Sequence, residues 1–475
     1  MKGTAVFGGS QMFTMLANIV KGKFTAIFLG TGGMGVSSLL NSALAPMQQL
    51  FTFSLPTAGV RDIANEEDAE QKAHKVLAFR RVLFVLAVLG MITMAVGAPL
   101  LSISTFGSSE HTLWFVALSV ALLFLILTTG ENAVLQGYRK LKTLATCNVV
   151  SALCGVLVGV PLYYFYGIEG IVPSIIIMSV VSFLYTRYFT RTLHIIPVQQ
   201  SWGDTWKWGR VMLLFGGTMM IAGVIGSLST YLLNTFIRSY GDISDVGLFQ
   251  AANTITLQCT SLVFTAMATD YYPHLSSVAD SQDRMTALVR QQGEIVVLII
   301  APVASLLVLF SPLAVRVLLT SEFDSLVPLL RLIAVSFMGR AFCFPLDYVC
   351  LAKGDKSFFF WVDGIWTNVK TFLFCVAGYY FFGLIGLGYA MVANAVIDIF
   401  VSALLCRYRY GVVYDKEQLR LFLPFVSLLS LQLLVSYISD ILPSLALMMV
   451  IAAVICIFAY RQLDQRINFR GLLKR

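Results

Sequence analysis

Apolar runs about twenty residues long recur from one end of this chain to the other, and they limit what it can fold into. A run of that length spans a hydrocarbon core as an α-helix. Of the 475 residues, 58% are hydrophobic and 12% charged, against about 25% charged in a soluble domain. A β-barrel would instead show segments of roughly ten alternating residues. The chain is therefore expected to be an all-α polytopic membrane protein. Fourteen transmembrane helices are expected, near 4–29, 34–57, 82–104, 112–135, 143–166, 171–189, 211–234, 247–270, 292–317, 326–350, 357–382, 387–405, 421–440 and 444–460. The N-terminal run lacks a small-residue cleavage site and reads as a retained first helix.

The connections alternate in character. Gly30–Gly33, Thr105–His111, Gly167–Gly170 and Gly383–Gly386 are short and nearly uncharged, whereas Arg61–Arg81, Gln136–Lys142, Tyr188–Arg210, Tyr271–Gln291, Ala352–Lys356, Cys406–Arg420 and Arg461–Arg475 are longer and basic. With the N-terminus inside, the inner segments hold about 26 of the 33 lysines and arginines, and the outer loops hold Arg238. The positive-inside rule then places both termini in the cytoplasm. The net charge of +8 is thus a topology signal and does not imply nucleic acid. Cysteines 147, 154, 259, 343, 350, 375, 406 and 456 lie in or beside apolar runs with no Cys-x-x-Cys, and the four histidines are scattered. They read as buried small hydrophobes and helix-end residues, with no metal site.

The chain repeats itself. Gly35-Val-Ser-Ser-Leu-Leu-Asn41 returns in outline as Gly247-Leu-Phe-Gln-Ala-Ala-Asn253, and Tyr166-Gly-Ile-Glu-Gly-Ile171 as Phe382-Gly-Leu-Ile-Gly-Leu387. The basic turns at Gly137–Lys140 and Gly354–Lys356 fall at a similar spacing. Two six-helix lobes of one orientation are expected, 1–206 and 207–410, followed by two added helices and a basic tail at 411–475. Parallel repeats of this kind are a transporter signature, with the substrate path between the lobes.

The first two helices of each lobe carry polar faces. On the first, Gln11, Thr14, Asn18, Lys21 and Thr25 share a stripe, with Lys23 well round from it. Asn41, Gln48 and Thr52 line the second helix; Ser227, Tyr231, Asn234 and Arg238 the seventh; Gln250, Asn253 and Thr260 the eighth. Such stripes face a neighbour or water rather than lipid. Interhelical hydrogen bonding and a hydrated cavity both account for them. Lys21 and Lys23 invite three readings: snorkelling, a buried ion pair, or a cationic cavity. The second lobe holds Arg340, Asp347, Asp363, Lys370 and Asp398 within spans. Asp363 with Arg340 and Lys370 with Asp347 are candidate cross-helix pairs, structural or ion-coupling in role. Glu131 and Glu294 lie near inner helix ends, where gating contacts or interfacial placement explain them, with placement favoured. Gly216-Gly217 and Gly223 suit bending or close packing, with packing favoured.

Several motifs together resemble one family. Gly22-Lys23-x-x-Ala26-x-x-x-Gly30 closing on Gly33-Met-Gly35, Val246-Gly-Leu-Phe-Gln-Ala-Ala-Asn253, Tyr271-Tyr-Pro-His-Leu-Ser276, Ala301-Pro302, Ser321-Glu-Phe323, Pro345-Leu-Asp-Tyr348 and Gly383-Leu-Ile-Gly-Leu-Gly388 look like Wzx-type polysaccharide flippases. The resemblance covers about 1–410. It implies the multidrug/oligosaccharidyl-lipid/polysaccharide (MOP) superfamily, a V of two six-helix lobes, and movement of an undecaprenyl-diphosphate-linked O-antigen or related repeat unit across the bacterial inner membrane. The family pattern favours Lys23 as the cavity cation, whereas the polar stripe favours Lys21. Lysine and arginine would engage the diphosphate. Asn18, Asn41, Gln48, Asn234, Gln250 and Asn253 would meet sugar hydroxyls, with Arg238 among the cavity cations. The two added helices would offer a side groove for the polyprenyl tail. Alternating access is expected, driven by an H+ or Na+ gradient, the membrane potential or consumption of product outside. The resemblance implies a monomer, with polymerase and export partners nearby, and no cofactor. A MATE-like drug/cation antiporter would need carboxylates on the first two helices, which instead supply lysines. A membrane-embedded glycosyl or acyl transferase would need a catalytic acid/base set near a membrane face, commonly in a sizeable loop. The outer loops are short, and no catalytic residues are assigned.

Overall fold

The computed structural model describes residues 2–438 and 440–467, with the backbone alone at 2–8, 215, 218, 262, 266, 268, 269, 356, 441 and 467. The expected basic tail therefore falls partly outside the described residues, at 468–475. The described chain is helical throughout, without strands. The helices are α1 Lys2–Thr52, α2 Leu55–Ala64, α3 Ala69–Val96, α4 Ala98–Phe106, α5 Thr112–Gly137, α6 Leu141–Tyr166, α7 Ile171–Arg191, α8 Trp202–Tyr240, α9 Ile243–Ser277, α10 Gln282–Leu318, α11 Val327–Ala352, α12 Lys356–Phe358, α13 Thr367–Tyr410, α14 Lys416–Val435 and α15 Ile441–Ile467. A π-helical segment, Phe359–Trp366, joins α12 to α13.

Among the described residues, ten segments are long and apolar enough to cross a membrane. Three of them contain two spans each. Gly9–Thr52 breaks at Gly30, Leu141–Arg191 turns through the 3-10 segment Gly167–Gly170, and Phe359–Tyr410 breaks at Gly383. Counting these as pairs and adding the more polar α9 gives the fourteen crossings expected from the sequence.

The breaks have a common cause. Gly30 (φ 64°, ψ −164°), Gly167 (φ 55°, ψ −131°) and Gly383 (φ 62°, ψ −147°) adopt a backbone region that a side chain makes costly. Each lets the chain reverse with almost no loop. The turns at Gly167 and Gly383 share a further detail. A Cβ at Gly170 would overlap the Leu162 carbonyl oxygen, and a Cβ at Gly386 the Gly378 carbonyl oxygen. At the basic turns Lys140 N bonds Leu135 O at 2.9 Å and Asp355 N bonds Cys350 O at 3.0 Å. The left-handed residues beside them are Arg139 (φ 56°) and Gly354 (φ 66°). Both turns are Schellman-type helix ends.

The chain forms two compact units, Met1–Gly247 with Asp363–Val369, and Leu248–Val362 with Lys370–Arg475. The first extends one helix past 206, because α8 packs on α1 and α3. These packing units are thus a different division from the sequence repeat at 206/207. In the first unit α1 packs on α6 and α8, and α5 lies against α3 and α7. Gly216 brings α8 onto the Phe53 carbonyl with no room for a Cβ, and Gly223 lies beside Gln49, so these glycines serve packing. Glu131, nearly buried, accepts from Arg80 at 2.6 Å and Arg187 at 2.8 Å, tying α3, α5 and α7 together.

In the second unit α10 packs along α11, and α14 and α15 pack on α10. Fully buried Gln432 accepts from Ser305 Oγ at 2.7 Å and donates to the Ser305 carbonyl at 3.1 Å. Arg466 of α15 donates to Glu294 at 2.5 Å, and Gln418 of α14 at 2.9 Å. The two added helices are therefore joined to α10 by polar contacts at two depths, and Glu294 is an ion-pair partner of Arg466.

Candidate functional site

Lys21 lies in the first half of α1, facing α6 and α7. Its stem runs over Gly159 and Gly155. A Cβ on Gly159 would sit 3.6 Å from Lys21 Cε, and one on Gly155 4.0 Å from Lys21 Cδ. The two glycines are one turn apart, so they floor a track for the side chain. At its end Nζ donates to the Met178 Sδ at 3.3 Å. Ser174 Oγ approaches the same sulfur at 3.8 Å and donates to Tyr163 OH at 3.3 Å. Thr25 Oγ1 returns to the Lys21 carbonyl at 2.8 Å. A thioether is a weak acceptor, and none of the ion pairs among the described residues includes Lys21. Packing thus fixes the ammonium, and among the described residues its charge has no carboxylate in an ion pair with it. An uncompensated charge at membrane depth is costly, and an anion arriving there would lower that cost.

The polar stripes of the sequence do not point to Gly155, Gly159 or Met178. Their signal was present as Gly-Val-Leu-Val-Gly at 155–159, a small-xxx-small pattern that lets neighbouring groups approach closely. Here a lysine stem occupies the space.

The other candidates are dispersed. Lys23 is half-buried and Asn18 exposed on the same half of α1. Exposed Asn41 donates to the Ser37 carbonyl at 2.7 Å. Gln48 reaches Thr129 Oγ1 of α5 at 3.4 Å, and buried Asn234 reaches Ser38 Oγ at 3.4 Å. Tyr231 OH sits between Ser104 and Thr105 at 2.7 and 2.9 Å. Arg238 lies over Gly107, where a Cβ would meet its guanidinium at 2.6 Å. In the second unit Gln250 donates to Thr254 at 3.3 Å, and Asn253 is half-buried. Much of the polar striping thus joins helices to one another.

One charge of the second unit pairs differently from expectation. Lys370, almost fully buried, pairs with Asp398 rather than with Asp347. The reversal at Gly383 makes α13 an antiparallel hairpin, which brings residues about equally far before and after the break side by side. Asp347 accepts from Ser402 Oγ at 3.2 Å. Arg340 stacks its guanidinium against the rings of Phe264 and Phe337, at 5.3 and 5.8 Å. Asp363 falls in the other unit, where its carbonyl accepts from Asn368 at 3.1 Å.

At the turn after α11, Asp355 accepts from Arg409 Nε at 2.6 Å, from Tyr410 OH at 3.0 Å and from Phe358 N at 3.1 Å. Arg409 foremost holds this carboxyl below the usual range. Lys75 does the same for Glu66 in the turn between α2 and α3.

These helices define a multi-pass membrane protein, and solved structures share their arrangement. The chain is similar to the lipid II flippase MurJ in an inward closed conformation, with TM-score 0.73, 13% identity and 98% of each chain covered. It is similar to an inward-facing multidrug resistance MATE family transporter of the MOP superfamily, with TM-score 0.71, 16% identity, and 84% of this chain and 94% of that one covered. A MOP superfamily transporter from Pyrococcus furiosus, noted for the reverse polarity of its binding pocket, matches with TM-score 0.61, 16% identity, and 86% and 96% covered. At such identities the likeness is one of fold, and the fold is that of the MOP transporters. A model of the family described as polysaccharide biosynthesis protein matches residues 51–328, and the chain belongs to that family. No curated protein matches it.

Proposed function

We propose that this chain is a flippase that carries an undecaprenyl-diphosphate-linked oligosaccharide, an O-antigen or related surface-polysaccharide repeat unit, from the cytoplasmic to the periplasmic leaflet of the bacterial inner membrane. Membership of a polysaccharide biosynthesis family supports a sugar cargo. The fold it shares with a lipid II flippase supports a lipid-linked one. The observation that carries the reading is Lys21, a membrane-helix ammonium whose nearest acceptor is a thioether. Moving a diphosphate through hydrocarbon uncompensated is prohibitive, and a positioned ammonium offers it charge-assisted hydrogen bonds. In this reading Lys21 and Lys23 take the diphosphate, while Asn18 and Asn41 meet sugar hydroxyls. The halves 1–206 and 207–410 act as alternating-access lobes. Both termini lie in the cytoplasm, and the chain works as a monomer beside polymerase and export partners. The driving force is an H+ or Na+ gradient, the membrane potential or removal of product, with Asp347, Asp398 and Lys370 as the coupling candidates.

The test is flipping of a lipid-diphosphate-linked sugar in proteoliposomes by wild type, Lys21→Ala and Lys23→Ala. Loss of one charge-assisted contact should slow transport roughly ten- to a hundredfold. Transport of small cations with no movement of the lipid-linked sugar would replace this reading with an antiporter. Normal flipping by both variants would make the lysines structural.

A further inference from the structure

The start of α8 carries Ser-Trp-Gly-Asp-Thr-Trp-Lys-Trp-Gly-Arg at 201–210, holding three of the chain's six tryptophans. The transport reading does not use them. One side of this segment is docked. Thr205 accepts from Arg81 of α3 at 3.1 Å, and Gly209 lies so close to Val82 that a Cβ would meet it at 2.6 Å. Arg81 also donates to the Gln200 carbonyl at 2.7 Å and lies over the Trp202 ring at 5.3 Å. The preceding strap is therefore fixed to α3.

The other side is open. Trp202 is 65% exposed and Trp206, one turn on, is 60% exposed. Lys207 and Arg210 are exposed beside them, with Lys207 touching Asp204 at 3.2 Å. Length decides where this face sits. From Val211 to Tyr240 the helix would be about 45 Å long, close to a bilayer with its headgroup layers, about 40–45 Å. Trp202–Arg210 are the two and a half turns beyond that, continuous with the spanning helix. Two exposed indoles in water are unfavourable, whereas the headgroup layer accepts their apolar faces and N–H groups together. Basic side chains at the same level suit lipid phosphates.

We infer that Trp202–Arg210 is a lipid-binding anchor, with Trp202 and Trp206 seated at the headgroup boundary and Lys207 and Arg210 selecting anionic phospholipid. Because Arg81 fixes the strap, the anchor sets the depth of α3 and α8 together. A soluble protein partner would leave this surface in water when the chain is alone in vesicles.

The test uses the full chain with Trp114, Trp208, Trp361 and Trp366 changed to Phe, reconstituted in phosphatidylcholine–phosphatidylglycerol vesicles. Should that variant elute aggregated, the difference in quenching between wild type and Trp202→Phe/Trp206→Phe replaces it. Lipids brominated high on the acyl chain should quench the fluorescence more than lipids brominated near the chain end. Brominated phosphatidylglycerol should quench about twofold more than brominated phosphatidylcholine. Lys207→Gln/Arg210→Gln should abolish that preference without changing the depth. Quenching by aqueous iodide with none by bromolipid would place the segment in water or against a protein and overturn the anchor. Equal quenching by both lipids would overturn the anionic selection.

Discussion

Gly35 and Gly247 are repeat images of one another, and they meet. A Cβ on Gly35 would overlap the Ile243 carbonyl oxygen, and a Cβ on Gly247 would overlap the Thr31 carbonyl oxygen. Both pairs, 35 with 247 and 31 with 243, are separated by 212 residues. One contact is therefore the other with the repeats exchanged, as in a two-fold interface. Backbones this close are possible only because neither position has a side chain. Gly35→Ala or Gly247→Ala should each lower stability by about 1–3 kcal/mol. Gly32→Ala, whose Cβ would touch Ser244 Oγ at an ordinary 3.9 Å, should be nearly neutral. Thermal aggregation in detergent followed by size-exclusion chromatography makes the comparison, and an unstable Gly32 variant would show that the whole turn is intolerant.

The Lys21 track makes a prediction without touching the charge. A Cβ on Gly155 would press on the Met178 methyl group at 2.8 Å. Gly155→Val should move Met178 and Lys21 together, reducing lipid-linked sugar transport roughly tenfold with the protein still monodisperse. Met178→Leu removes the sulfur acceptor and keeps the volume, so it should retain transport. A Gly155→Val protein that flips at the wild-type rate would show that the position of the ammonium does not matter.

Glu131 stands between two arginines, and its replacement leaves both without their carboxylate. Glu131→Gln should cost on the order of 3 kcal/mol. Because the surplus is positive charge, Glu131→Gln/Arg187→Gln should recover part of the loss. A double-mutant cycle on melting temperature reads the coupling. Simple additivity would mean the arginines find water or lipid phosphate equally well.

The crossings were legible because a bilayer imposes one length, and the reversals because glycine marks them. Gly30, Gly167 and Gly383 punctuate apolar sequence and do in the structure what they promise. Partner choice was less legible. Helical periodicity gave the faces of Asn234 and Gln48 but not the neighbours, Ser38 and Thr129, that satisfy them. The partner expected for Lys370 was Asp347, whereas the reversal at Gly383 sets its register against Asp398. The repeat aligned Gly35 with Gly247, yet nothing in an alignment of two halves says that aligned residues touch.

The turn at Asp355 gives a pH dependence with a definite sign. Its carboxyl titrates lower in the folded chain than in the unfolded one, because Arg409 holds the ionised form. The stability it contributes is complete above the unfolded value, about 3.9, and is lost as the pH falls through the lower folded value. Asp355→Asn should therefore melt below wild type by a constant margin from pH 5 to pH 7. That margin should shrink only below about pH 4. A margin that closes near neutrality would assign the effect to another group.

Gln432 and Ser305 test whether the two added helices behave as part of the second unit. The amide of Gln432 is fully buried and bonded to both the hydroxyl and the carbonyl of Ser305. In an apolar medium its alternatives are few, and such contacts contribute about 0.6–2 kcal/mol. Gln432→Leu keeps the bulk and removes the bonds. If this contact holds α14 on α10, hydrogen exchange in 416–435 should accelerate by roughly three- to thirtyfold, while exchange in α5 stays unchanged. Ser305→Ala should give a smaller effect, since the backbone carbonyl still accepts. Equal acceleration across both units would mean that the variant lowers global stability. No acceleration would mean that packing of Phe425 and Leu429, both buried, suffices to hold the helix.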